Sequence, residues 1–321
     1  MDMIQFKKRA TSYLSLTVVA ACLLPISAGA QEWHTVSFPL KETITGASFI
    51  SADTGHLVTE GGKHARTFDG GENWWGRQVT DHIPLEDCYF TDAMTGFVCG
   101  RKGQIHYTLD GGNKWHDVSW GDTLATFVSI RLLDSGVVLA SGFTTHNGAM
   151  DQGLLIRSTD RGATWQVIEI PGKAVGDFWY KPGHPIYCLS FGYINYSTDL
   201  GKTWHSVKRE GQPGRTLAFA GSGGMMVGNH GFVSMTVDSG KTWNPVTLGQ
   251  EQSHFTSIAM IDESTAYIAG TNATIFRTKD GGRTWNQEFF TETFHVLDLA
   301  LAGDWLWAVG SDGTILKKKL G

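Results

Sequence analysis

Six stretches of the chain are written in nearly the same way: RTFDGGENW, YTLDGGNKW, RSTDRGATW, YSTDLGKTW, MTVDSGKTW and RTKDGGRTW. The tryptophans that close them, with Trp33 ahead of the first, are Trp74, Trp115, Trp165, Trp204, Trp243 and Trp285, and successive spacings are 41, 41, 50, 39, 39 and 42 residues. A period near 40 residues with several short strands per period is the signature of a β-propeller, one unit per blade. The 40 glycines among 321 residues, well above the usual ~7%, suit a chain of short strands and tight turns. The expected fold is all-β: a seven-bladed β-propeller of four-stranded antiparallel blades.

The repeated turn has a physical reading. Asp69, Asp110, Asp160, Asp199, Asp238 and Asp280 are placed to accept hydrogen bonds from backbone N–H groups further along the turn, and the glycine two residues on supplies positive φ. Ser or Thr stands two residues before each aspartate (Thr67, Thr108, Ser158, Ser197, Thr236, Thr278), where its hydroxyl is expected to tie the turn to a neighbouring strand. The tryptophan covers the turn with apolar area. These six aspartates are therefore structural, not catalytic or metal-binding. Between 243 and 285, TWNPVTL reads as an outer strand, FTSIAMI as the inner strand along the channel, then AYIAG and TIFRTKD, the last leading into the turn. Gly100, Gly228, Gly270 and Gly310 recur before the third strand and mark the loop between strands two and three.

The two ends of the chain complement each other. WAVGSDGTILKKKLG supplies a third strand but stops before any turn motif, whereas Trp33 and HTVSF form an outer strand with no motif before it. Together they complete one blade and close the ring, which removes open sheet edges. Lys317, Lys318 and Lys319 are then expected at the solvated end of a strand.

Residues 1–30 read as an export signal: Lys7, Lys8 and Arg9, the apolar run LSLTVVAACLLPI, and Ala28-Gly29-Ala30 before cleavage ahead of Gln31. The propeller then spans 31–321, in the periplasm or secreted. The alternative reading is a lipobox, Val19-Ala20-Ala21-Cys22, with the chain anchored through Cys22. No later apolar run is long enough to cross a membrane. Loss of the leader removes Lys7, Lys8, Arg9 and Asp2, so the net charge of −5 becomes −7, which argues against a nucleic-acid partner. Cys88, Cys99 and Cys188 remain; Cys88 and Cys99 flank a short hairpin and read either as a disulfide or as small core residues. The histidines show no metal-ligand spacing, so neither metal nor cofactor is expected. A monomer is the default oligomeric expectation.

The S/T-x-D-x-G-x-T-W unit resembles the Asp-box, or bacterial neuraminidase repeat. Seven such units over the whole of 31–321 resemble the photosystem II assembly and stability factor family and its relatives in non-photosynthetic bacteria. The resemblance implies an exported, non-catalytic scaffold that docks a polypeptide, in photosynthetic members partly through an arginine-rich face. Here the arginines depart from that pattern: Arg66, Arg157 and Arg277 are spread one per blade, each just before a turn motif.

Asp-box propellers also include sialidases and xyloglucanase-type glycoside hydrolases, which makes a glycoside hydrolase the alternative function. Arg131 in SIRLL resembles a sialidase arginine, but it aligns with Ser48, Tyr89 and Ala259 of other inner strands, and the sequence shows no completing triad. Glu86 and Asp87 are adjacent on a strand, so at most one of them is expected to enter a site. Two departures from the repeat remain as functional candidates. TTHNGAMDQ at 144–152 outgrows the third unit, as binding loops do. Phe178, Trp179 and Tyr180 form an aromatic segment that reads as a ligand platform or as packing between blades. Aligned inner strands place Glu86, Asp87, Asp177, Arg215, His254, His295 and Asp298 at the channel rim, a mildly acidic surface for a polypeptide partner of the cell envelope.

Overall fold

The second strand of each repeat carries apolar residues on both faces, as a strand stacked between two neighbouring sheets must. In the computed structural model, which describes residues 4–6 and 32–321 apart from 173, 210, 251, 289, 291 and 292, every residue of Gly55–Thr59, Gly96–Gly100 and Ala266–Gly270 is buried. Outer strands such as His205–Lys208 are exposed. Each of the seven sheets is an antiparallel meander running outward from the channel. The inner strands are Ile44–Phe49, Leu85–Phe90, Ala125–Leu132, Val175–Trp179, Gly214–Ala220, Phe255–Met260 and Val296–Ala302, in blades one to seven. Among the described residues, seven apolar clusters fill the seven junctions between successive blades.

Closure follows the expectation. His34–Thr35 pairs with Ile315–Lys319, so blade seven takes its outer strand from the start of the chain and three from the end. The lysine run, however, is not solvated throughout. Lys318 is only 3% exposed: its Nζ donates to Glu288 Oε1 of blade six at 2.8 Å and lies over the rings of Trp33 and Tyr267. Lys317 donates to the Gly70 carbonyl of blade one at 2.8 Å, over Trp305 and Trp307. Strand alternation sends the two ammoniums to opposite faces, and each fastens blade seven to a different neighbour. Lys319 alone is solvated.

The Asp-box turns join strands three and four. In all six, the Ser or Thr hydroxyl donates to the aspartate Oδ1 at 2.7–2.9 Å and accepts the N–H of the glycine four residues on at 2.7–3.0 Å. The aspartate Oδ1 also accepts the N–H four residues beyond itself at 2.9 Å. The hydroxyl thus serves the turn itself, not a neighbouring strand as the sequence suggested. Two successive residues adopt positive φ, and only the second must be glycine. Arg161, Leu200 and Ser239 take the first place, whereas a Cβ at Gly282 would lie 2.1 Å from Met235 Sδ of the preceding blade.

Gly100, Gly228, Gly270 and Gly310 end their second strands, and their role is close approach. A Cβ there would fall 1.8–2.8 Å from the carbonyl oxygen of the residue that leads into the inner strand, as at His295 for Gly310. Cys88 and Cys99 are buried free thiols. Cys88 packs toward blade one and Cys99 toward blade three, on opposite faces of their sheet, which fits the core reading. The expected export signal, its cleavage before Gln31 and acylation at Cys22 lie outside the described residues; from that segment only Ile4–Phe6 is described, as a strand beside Trp74–Gln78.

Candidate functional site: the central channel and its mouth

Every inner strand begins with an irregularity, a register shift near its third residue. The residues at that place are Gly46, Asp87, Ser129, Asp177, Thr216, Ser257 and Asp298, one per blade. A bulge leaves the next N–H without a ladder partner, and the preceding blade supplies one. Ile130 N–H donates to Asp87 Oδ2 at 3.0 Å, Phe178 N–H to Ser129 Oγ at 3.4 Å, Leu299 N–H to Ser257 Oγ at 3.0 Å and Ala47 N–H to Asp298 Oδ2 at 3.3 Å. Gly46 has no side chain to offer, and Cys88 N–H turns instead to Asp87 Oδ1 at 2.8 Å. The missing side chain has a steric cause, because a Cβ on Gly46 would lie 2.9 Å from Asp87 Cα. The three acids therefore belong to a belt that holds the blades together.

Arg131 lies two residues beyond the belt and reaches back to it. Its guanidinium donates to Asp87 at 2.6 Å and to Asp177 at 2.8 Å, over the Tyr89 ring, so one cation from blade three bridges blades two and four. The two carboxylates push the guanidinium further toward its charged form than usual. Burial raises the Asp87 carboxyl, with Arg131 opposing that rise. Asp298 accepts from Ser257 Oγ at 3.0 Å and from Ala47 N–H, but no cation among the described residues contacts it. Burial, reinforced by Asp87 and Asp177, pushes Asp298 up to about 7.

The channel is a cavity of about 790 Å³. Glu86, Asp87, Asp177, Arg215 and Asp298 line it together; Glu86 is paired with Arg101 at 2.7 Å, and Arg215 is exposed. His254 and His295 do not line it. His254 packs edge-on against His230, and His295 Nδ1 accepts the N–H of Asn272 at 3.1 Å, so both join neighbouring loops. The aromatic segment packs between blades and also lines the cavity with all three of its residues. Phe178 is buried between blades three and four, Trp179 meets Tyr187 and Phe219 towards blade five, and Tyr180 is half-buried.

A second set of apolar side chains surrounds the mouth. The insertion at 144–152 lengthens the second and third strands of blade three into a hairpin, Val138–His146 and Ala149–Ser158, that turns at Asn147-Gly148. Phe143 and Met150 of this hairpin, and Phe191 from the corresponding loop of blade four, line the cavity, with Met150 53% and Phe191 65% exposed. Sequence reasoning singled out the insertion and missed Phe191; the signal was a large aromatic directly after the second strand, where blades one, two, five, six and seven carry Glu60, Arg101, Asn229, Thr271 and Ser311.

Seven four-stranded blades, six Asp-box turns and one ring-closing blade define an Asp-box β-propeller with an open central channel. Residues 242–319, blade six and most of blade seven, match the family described as photosynthesis system II assembly factor YCF48. Over its length the chain is similar in fold to YCF48 bound to D1 peptide, at 21% identity and a TM-score of 0.73, covering 90% of this chain and 95% of that one. It is similar also to YCF48 from Cyanidioschyzon merolae, at 15% and 0.71, covering 90% and 99%. A streptogramin B lyase shares the fold at 12% and 0.74, covering 91% and 98%. No curated protein matches the sequence.

Proposed function

We propose that this protein is a non-catalytic docking scaffold for a polypeptide, bound at the channel mouth on the face opposite the Asp-box turns. It works in the cell envelope after export and cleavage before Gln31. The observation that carries the reading is the composition of the mouth: exposed Met150 and Phe191 beside Phe143, above a channel in which Arg131 is already taken by Asp87 and Asp177. Exposed apolar groups gathered at one opening are costly in water unless a partner covers them. With Arg131 saturated by two protein carboxylates, Arg215 is left as the other arginine among the described residues that line the cavity, and one arginine falls short of a triad that grips an acidic sugar, which weighs against the sialidase alternative. The solved YCF48 with its D1 peptide lends the reading a precedent in fold.

The test is site-specific photocrosslinking in the native envelope, with benzoylphenylalanine replacing Phe191 or, as control, Val237, which is 74% exposed in an Asp-box turn on the other face. Adducts to a second polypeptide are expected from position 191 and not from 237. Adducts from 237 alone, or turnover of a sialoside or β-glucan by the purified protein, overturn the proposal.

A further inference from the structure

The mouth and the channel floor differ in chemistry, and together they restrict what kind of segment fits. At the mouth, Phe143, Met150 and Phe191 come from two adjacent blades. Across the channel, Asp298 projects from blade seven, held in orientation by Ser257 of blade six and the Ala47 N–H of blade one. The charged groups that act on it are Asp87 from blade two, Asp177 from blade four and Arg131 from blade three, and Arg131 is already committed to the other two carboxylates. Arg215 of blade five also lines the cavity, exposed, but it is not among the charges that act on Asp298, so of the three belt carboxylates Asp298 is the one that no cation among the described residues contacts. A cavity of about 790 Å³ has ample room for a long side chain.

Resting on the docking reading above, we propose that the channel takes an extended polypeptide segment through one basic side chain, whose cationic head pairs with Asp298 while its apolar neighbours lie on Phe143, Met150 and Phe191. Long aliphatic stems of Lys or Arg suit the passage, since they cross apolar surface and deliver charge at their tip. The elevated proton affinity of Asp298 adds a signature. A cation beside the carboxylate favours its ionised form, so binding near neutral pH expels a proton.

The test uses the purified mature chain from Gln31 and three acetylated, amidated synthetic peptides, Phe-Leu-Arg-Leu-Phe and its citrulline and glutamate counterparts, titrated calorimetrically at pH 7 in two buffers of different ionisation enthalpy. The arginine peptide is expected to bind at least about tenfold tighter than the citrulline peptide, with net proton release, and the advantage to fall to within about twofold in Asp298→Asn. Phe191→Ser is expected to weaken all three peptides alike and to leave proton release per bound arginine peptide unchanged. If Asp298→Asn does not fold, the wild-type comparison decides, since the arginine advantage must shrink as salt rises from 20 to 500 mM. Equal affinity for the three peptides, or preference for the glutamate form, overturns the inference even where crosslinks from position 191 uphold docking. Absent crosslinks with an intact arginine preference would instead fault the scaffold reading.

Discussion

Replacing Lys318 by alanine should open the ring where it closes. The substitution removes three things: a 3% exposed aliphatic stem, a cation over Trp33 and Tyr267, and the partner of Glu288. Losing three buried methylenes costs ~2 kcal/mol at ~0.8 each. Two partly desolvated cation–π contacts add ~1–2 kcal/mol. Glu288 keeps some access to water, its side chain 24% exposed, so the penalty for orphaning it falls at the low end of the ~3–5 kcal/mol seen when a buried pair is broken. These contributions overlap, and a total of ~3–4 kcal/mol is the expectation. At ~2 °C per kcal/mol for a chain of this size, Tm should fall by ~6–8 °C.

Lys318→Met keeps most of the stem and loses the charge, so a fall of ~2–4 °C is expected, while Lys319→Ala, at a side chain 54% exposed and 3.5 Å from Asp304, should change Tm by ~1 °C or less. Because Trp33 sits just ahead of the closing strand, limited proteolysis of Lys318→Ala should cut first between residues 32 and 40. Equal melting of Lys318→Ala and wild type, or greater damage from Lys319→Ala, would refute the view that Lys318 fastens the closing blade.

Gly46→Ala should destabilise by ~1–3 kcal/mol, read as a lowered urea midpoint, because the new methyl meets backbone atoms, Asp87 Cα at 2.9 Å and the Glu86 carbonyl oxygen at 3.1 Å, that cannot swing aside. The buried, stacked pair His56 and His64 (Nδ1 to Nε2 3.0 Å) should make the fold acid-sensitive well above the carboxylate range. Burial, then Arg66, lowers His56 to about 3, so below pH 6.5 the unfolded chain binds a proton that the native state refuses, and stability falls progressively as pH drops toward 3. His56→Phe should flatten the urea midpoint between pH 7 and 4.5; an unchanged slope counts against this account. Asp298 works in the opposite sense: its pKa is raised, so its contribution is full below the unfolded value near 3.8 and is lost as pH rises through about 7. Asp298→Asn should therefore narrow the stability gap between pH 5.5 and 8, measured by thermal melts at both.

The blades were legible because the Asp-box signals itself locally. A hydroxyl, a carboxylate and a glycine within five residues satisfy one another, and their spacing survives in the sequence whatever surrounds them. Lys318 was not legible for the converse reason. Its partners Glu288 and Tyr267 come from blade six and Trp33 from the opposite end of the chain, and a run of three lysines looks the same whether its middle member is solvated or caged. The channel acids fall between these cases. Alignment placed Asp87, Asp177 and Asp298 at corresponding positions, but their use as hydrogen-bond acceptors for the next blade depends on a bulge that has no residue signature. His254 and His295 were assigned to the rim by the same alignment; both lie near the starts of their inner strands, above the belt, where chain direction turns away from the channel.

The two faces of the propeller have different amounts of unspent chemistry. On the Asp-box face the polar groups of each turn are consumed internally: hydrogen bonds from the Thr164 and Thr284 side chains and backbone N–H groups hold Asp160 and Asp280 down at about 2, ionised and fully used. A partner there would have to displace bonds that keep the turns in shape. At the opposite mouth the belt acids are also partly spent, but unevenly, because one arginine serves two of three carboxylates and the hairpin of blade three breaks the sevenfold repeat. A pseudo-symmetric ring has no preferred blade at which to bind anything. The long hairpin, Phe191 and the uncompensated Asp298 supply the asymmetry that a single extended segment needs to dock in one register and one direction.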